Sequence, residues 1–136
     1  MIALETAQDF LKDNFAQWIL DMGIEVSEMS DAGATLDIPI TPHIERVGGI
    51  VCGQALSALA DTAMVFACFS ALDGFKPVAT TNLETRFLSG AKGERVACKA
   101  RVIKQGRSLL FCEATLTAFP GARTVASASA TFFLPS

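Results

Sequence analysis

Histidine is nearly missing from this chain: His43 is the only one in 136 residues. A Ser-His-Asp or Cys-His triad would have to run through it. Its surroundings, TPHIERV, mark no base with an orienting acid, so His43 reads as a loop histidine. Cysteine occurs four times, at Cys52, Cys68, Cys98 and Cys112, and never as C-x-x-C. With one histidine to share, those cysteines argue against a zinc site, and no metal is expected. All four sit in apolar patterns, as buried free thiols of a reducing, cytoplasmic location do. Cys52 falls at a helix start, where thiol pKa values drop, but it has no identifiable base partner. The first residues carry no basic stretch before an apolar run, so no secretory signal is expected. No basic run interleaves with aromatics and the net charge is −3, so nucleic acid is not an expected partner.

What is present is apolar: 51% of residues are hydrophobic and only 18% are charged, which implies a large core or hidden subunit contacts. The length suits one domain, residues 1–136. Charge is uneven. Residues 1–75 hold eleven acids and two bases, and residues 76–136 hold nine bases and three acids. A basic second half suits an anionic ligand or an ordinary solvated sheet face, and charge alone favours the second.

Periodicity predicts an N-terminal helix over about 5–22, with Phe10, Leu11, Phe15, Trp18, Ile19 and Met22 on one core-facing side and Gly23 as its stop. Two strands follow, Ile24–Met29 and Ala34–Ile40, with Pro39 marking an edge strand or a strand end. A glycine-bearing loop, 41–49, carries His43, Glu45 and Arg46. A long helix starts near Val51 or Cys52 and stops at about Leu72, before Asp73-Gly74 and Pro77. Four strands close the chain: Val78–Leu88, Glu94–Gln105, Ser108–Ala118 and Thr124–Leu134. The last ends in Phe132, Phe133 and Leu134, a continuous apolar run expected where both faces are covered. The core, about 24–134, is thus an α+β arrangement of a six-stranded antiparallel sheet wrapped around one long helix.

The stretch VGGIVCGQALSALADTAMVFACFSAL holds one side chain that is ionised at neutral pH, Asp61. A membrane span is rejected, because Asp at a span centre costs about 2.5–3.5 kcal/mol and strand-like segments follow. A lone carboxylate in a buried helix is costly unless it is satisfied. It is therefore either hydrogen-bonded structure or a functional acid of raised pKa. The helix start offers a second group. First-turn N–H groups have no intrahelical partner and the dipole favours negative charge there, so the Gly53 N–H is a candidate oxyanion donor. Gly53 and Asp61 are eight residues apart, about 12 Å along a helix axis. One carbonyl cannot reach both, so cooperation requires two subunits and two equivalent composite sites.

The segments GGIVCGQALSALADTA, TTNLETRFLSGAKGE, VIKQGRSLLFCEATL and TVASASATFFL together resemble the hotdog-fold acyl-CoA thioesterases, closest to the phenylacetate-degradation and 4-hydroxybenzoyl-CoA branch. The resemblance covers roughly 34–134. It implies a hotdog fold, dimers or dimers of dimers, and active sites at the dimer interface. Asp61 matches the helix carboxylate that is general base or nucleophile. Gly53 matches the glycine whose N–H polarises the thioester carbonyl. Thr80 falls where a Ser or Thr helps hold water, with Thr81 as a register alternative. Gly106 and Arg107 match a turn near the CoA moiety, where guanidinium suits phosphate. The pattern differs in two places. Relatives usually have His-Gly-Gly where this chain has Cys52-Gly53-Gln54, and many have Asn where it has Arg46. Arg46 and Gln54 are therefore candidate substrate contacts.

The resemblance implies hydrolysis of an acyl-CoA thioester with no cofactor beyond the CoA of the substrate. Leu56, Ala60 and Met64 are candidate channel-lining residues. The alternative is a non-catalytic acyl-CoA binding or sensing protein on the same fold. A hotdog dehydratase is a weaker reading, because it wants an Asp-His pair and His43 is misplaced for one.

Overall fold

The computed structural model describes residues 1–136. Three helices and eight strands follow in chain order. They are α1 (Leu4–Asn14), α2 (Gln17–Leu20), β1 (Glu25–Ser30), β2 (Gly33–Pro39), β3 (Glu45–Arg46), β4 (Ile50–Val51), α3 (Gly53–Leu72), β5 (Ala79–Phe87), β6 (Arg95–Gln105), β7 (Leu109–Phe119) and β8 (Arg123–Phe133). Six strands form one sheet in the order β1-β2-β6-β7-β8-β5, and β3-β4 is a separate small hairpin. Every pairing in the large sheet is antiparallel. The sheet wraps α3, which is the hotdog arrangement.

Sequence periodicity explains the wrap. In β6 and β7 the residues Val96, Cys98, Ala100, Leu110, Cys112, Ala114 and Leu116 alternate onto the α3 side and are buried. The helix answers with Leu59, Ala60, Ala63, Met64, Phe66 and Ala67, all fully buried. Each such large side chain contributes about 1.5–3 kcal/mol on burial, so packing rather than helix propensity holds α3. By length and composition α3 could cross a membrane. Here it is the core of the sheet, with eleven buried residues from Ala55 to Phe69.

The N-terminal helix differs from expectation. It breaks at Phe15 and Ala16, whose ψ angles of 156° and 144° are extended. The break lets Phe15 stack on Phe66 at 5.7 Å, while Phe10 stacks on Phe75 at 4.1 Å. These rings cap the C-terminal end of α3. Ile19 and Met22 still reach the core, but Trp18 turns outward and is 59% exposed. Its expected core role is therefore wrong. The kink breaks the 3.6-residue repeat after Asn14. Pro39 ends β2, which lies inside the sheet, so it marks a strand end and not an edge. At the end of β8, Phe132 is buried but Phe133 is 41% exposed on the outer face, so one face of that run is open in a single subunit.

The two sheet edges differ. At β1, the Gln8 side chain accepts from the Val26 N–H at 2.7 Å and donates to the Ile24 carbonyl at 3.3 Å. It occupies two of the backbone groups that an added strand would use, at the start of β1. Gln8→Ala should cost about 1–2 kcal/mol for two part-buried hydrogen bonds, read as a lower urea midpoint at unchanged m-value. The other edge, β5, has nine residues and no cover, and it displays Leu83 and Phe87.

Candidate active site

The helix α3 and the edge strand β5 run side by side, and polar contacts stitch the seam. Thr80 Oγ1 donates to Asp61 Oδ1 at 2.8 Å. One helical turn earlier, Ser57 Oγ bonds Thr85 Oγ1 at 3.1 Å. At the start of the helix, a Cβ on Gly53 would lie 3.1 Å from the Phe87 ring. Gly53, Ser57 and Asp61 are spaced at i, i+4 and i+8, so they share one stripe of α3. Phe87, Thr85 and Thr80 meet that stripe in reverse order.

A bulge sets which threonine faces the acid. Thr80 pairs with Phe132 and Asn82 with Thr131, so the register slips at Thr81. Leu83, Thr85 and Phe87 oppose Ala130, Ala128 and Ala126, which are buried on the helix side. Strict alternation back from them would point Thr81 at the helix. The extra residue reverses that parity, and Thr80 points inward instead. Thr81 Oγ1 donates to the Thr131 carbonyl at 3.0 Å. Thr80, and not Thr81, is therefore the threonine that bonds Asp61.

Asp61 is half-buried and makes no ion pair. Burial pushes its carboxyl above the ordinary value of 3.8, and the Thr80 hydrogen bond partly opposes that rise. A desolvated carboxylate with one oxygen engaged and one free is suited to taking a proton from water.

Gly53 opens α3 behind Cys52, whose side chain makes no cap. The Gly53 N–H donates to no other backbone group. It borders a cavity of about 390 Å³ lined by Arg46, Ile50, Leu56, Phe87 and Ser89 among others. The positive φ angles of Gly48 (96°) and Gly49 (71°) make the tight tip that brings β3 and β4 together. That hairpin carries Arg46 to the cavity. Arg46 Nη1 donates only to the Val47 carbonyl, at 3.0 Å.

The other expected residues fall as follows. Gln54 is exposed in the first turn of α3 and makes no side-chain hydrogen bond. Leu56 lines the cavity, whereas Ala60 and Met64 are fully buried against the sheet, so neither faces an open channel in the single subunit. Arg107 lies exposed in the β6–β7 turn. Leu110, which opposes Phe132, ties that turn to the Thr80 end of the sheet. Arg107 therefore shares an end with Asp61, and Arg46 shares the other with Gly53. His43 is exposed in a single 3-10 turn, Pro42–Ile44. Cys68 and Cys112 are buried with sulfurs 3.6 Å apart, and their mutual contact and burial push the Cys68 thiol up, away from reactivity. Sequence reading missed Ser57, Thr85, Phe87 and Ser89. Helical spacing alone marks Ser57 as the midpoint between Gly53 and Asp61.

Comparison with known proteins identifies the family and the fold. The family model of the Thioesterase superfamily matches residues 48–131. PA0474 of Pseudomonas aeruginosa, a proposed esterase, is 36% identical over 89 residues, which is 65% of this chain and 65% of that protein. The chain thus spans under two thirds of the length of that relative. A thioesterase family protein from Silicibacter pomeroyi aligns with a TM-score of 0.84 and 27% identity, covering 92% of each chain. PaaI of E. coli, from the phenylacetic acid degradation operon, aligns at 0.83 over 96% of this chain and 92% of its own. At 18% identity it shares the fold.

Proposed function

The chain belongs to the thioesterase superfamily, and from that premise we propose that it hydrolyses an acyl-CoA thioester to the free acid and CoA. The single observation that carries this reading is the Asp61–Thr80 pair, a desolvated acid held at 2.8 Å by a hydroxyl on the exposed edge strand. The Thr80 hydroxyl occupies one carboxylate oxygen and leaves the other for water. Asp61 takes the proton of that water as its oxygen attacks the carbonyl carbon. Direct attack by the carboxylate is the alternative, and it would give a mixed anhydride that water then opens. In either case negative charge grows on the carbonyl oxygen, where the Gly53 N–H and the α3 dipole stabilise it. The C–S bond then breaks, and the CoA sulfur leaves as thiolate and is protonated. No cofactor enters the scheme.

Gly53 and Asp61 of one α3 remain about 12 Å apart, so the working site joins Asp61 and Thr80 of one subunit to Gly53 of another. The uncovered β5 edge is the natural seam for such a dimer, since it carries Thr80 and runs beside α3, while Gln8 caps the start of the β1 edge. Arg107 would then meet the CoA phosphates near Asp61. The buried, unpaired cysteines fit a reducing cytoplasmic location.

Free-thiol release from short, branched, long and aromatic acyl-CoAs tests the proposal. Tight binding with no release from any of them would establish a sensing protein instead. In the same assay Thr80→Val should lower kcat by at least about tenfold, the worth of one hydrogen bond to a charged group. It should also move the acid limb of the pH profile upward, because the lost bond is the one that lowers the Asp61 pKa.

A further inference from the structure

We infer that Ser57 and Thr85 are positioning residues for the reaction: their mutual hydrogen bond holds β5 against α3, so that the Thr80 hydroxyl stays on Asp61. The inference rests on the thioesterase reading above and adds two residues to it. Neither side chain borders the cavity beside Gly53, so both act through Thr80 and Asp61 and not on the substrate.

The strand β5 needs such a tie. It is an edge strand, and β8 is its one neighbour in the sheet. A bulge interrupts that pairing at Thr81, next to the threonine that faces the acid. Bulges bend a strand and disturb its ladder locally. The ladder sets Thr80 opposite Phe132, but it does not set how far β5 stands from the helix. Two side-chain hydrogen bonds span that gap. One is Thr80–Asp61 itself, at 2.8 Å, and the other is Ser57–Thr85, at 3.1 Å.

Both partners of the second bond stand out from their surroundings. Thr85 is the one residue of β5 that is not exposed. Ser57 lies inside a long helix, where a hydroxyl commonly bonds back to the carbonyl one turn earlier. Thr62 does so, donating to the Ala58 carbonyl at 2.8 Å. Ser57 instead reaches across to the strand, on the stripe that carries Gly53 and Asp61. The tie thus sits between the oxyanion donor and the acid of the same helix.

The first test is kinetic. Thr85→Val keeps the β-branched shape and removes the hydroxyl. It should lower kcat by roughly three- to tenfold, the worth of one neutral hydrogen bond, and leave KM unchanged. Ser57→Ala should give the same loss, although alanine favours the helix. The double variant should be no slower than either single one, because all three lack one and the same bond. Thr85→Ser should recover native kcat. Gln8→Ala, which weakens the opposite edge of the sheet, should leave kcat alone. Unchanged kcat in Thr85→Val, additive losses in the double variant, no recovery in Thr85→Ser, or an equal loss in Gln8→Ala each overturn the assignment.

A second readout does not need turnover. The Asp61 carboxyl carbon is followed by NMR against pH. Burial raises its pKa and the Thr80 bond lowers it. No other acid or base lies on α3 apart from the buried Cys68 thiol. The inward residues of β5 and β8 are uncharged, and Glu84 and Arg86 pair with each other at 3.9 Å on the outer face. Thr85→Val should therefore move the titration upward, in the direction of Thr80→Val and by less. A titration that stays in place overturns the positioning role. If no thioester is cleaved at all, the thioesterase reading fails, and the carboxyl titration alone decides whether the pair holds Thr80 on Asp61.

Discussion

Asp61→Asn is expected to lower kcat by roughly 10²–10⁴-fold, the range for removing a general acid–base group, and at the same time to raise thermal stability at neutral pH. The substitution keeps the shape and lets an amide oxygen accept from Thr80, as Oδ1 of Asp61 does at 2.8 Å. It removes the charge that burial makes costly. The sign follows from linkage. A carboxyl whose pKa is raised in the fold holds its proton more tightly there than in the unfolded chain. Stability therefore falls as pH climbs from the ordinary value of 3.8 through the raised one, and the whole penalty is present above that window. The Asn variant should escape this fall. Its melting advantage should be absent well below pH 4 and should grow to a plateau near neutrality. A variant that is both inactive and less stable at pH 7 would mean the charge is satisfied by contacts that outweigh its burial. The native acid limb should lie above the ordinary carboxylate range for the same reason.

How much of this was legible in the sequence depended on the range of the interactions. The periods of α3 and of the long strands are local, and the chain displays them: Val96, Cys98, Ala100 and Val102 alternate in sequence as they do in β6. The solitary charge in an apolar run is equally visible, and it leads to Asp61. The break after Asn14 was not visible, because Phe15, Trp18 and Ile19 continue a helical repeat that the chain abandons to stack Phe15 on Phe66. The choice between Thr80 and Thr81 was likewise closed to reading along one strand. It is made by a bulge, and a bulge exists only in the pairing of β5 with β8.

Mixing two dead variants is expected to restore activity. Gly53→Val places a side chain against the Phe87 ring, 3.1 Å from the first added carbon, and crowds the approach to the N–H. The backbone there is not left-handed, so a side chain is tolerated, and the 56% exposed ring can move. Subunits of Gly53→Val keep a sound Asp61, and subunits of Asp61→Asn keep a sound Gly53. If sites are shared across a two-fold axis, each mixed dimer has one intact site and one doubly damaged site. Random assortment makes half the dimers mixed, so equal co-expression should recover about a quarter of native activity. The axis would pass beside Ser57, the midpoint at which a Gly53-to-Asp61 pairing and its symmetry mate exchange. Were each subunit to catalyse alone, no mixture could do better than its parents, because every chain would still lack one of the two groups. A mixture as inactive as either variant, with mixed dimers confirmed by mass, would therefore place the oxyanion donor somewhere other than the partner's Gly53.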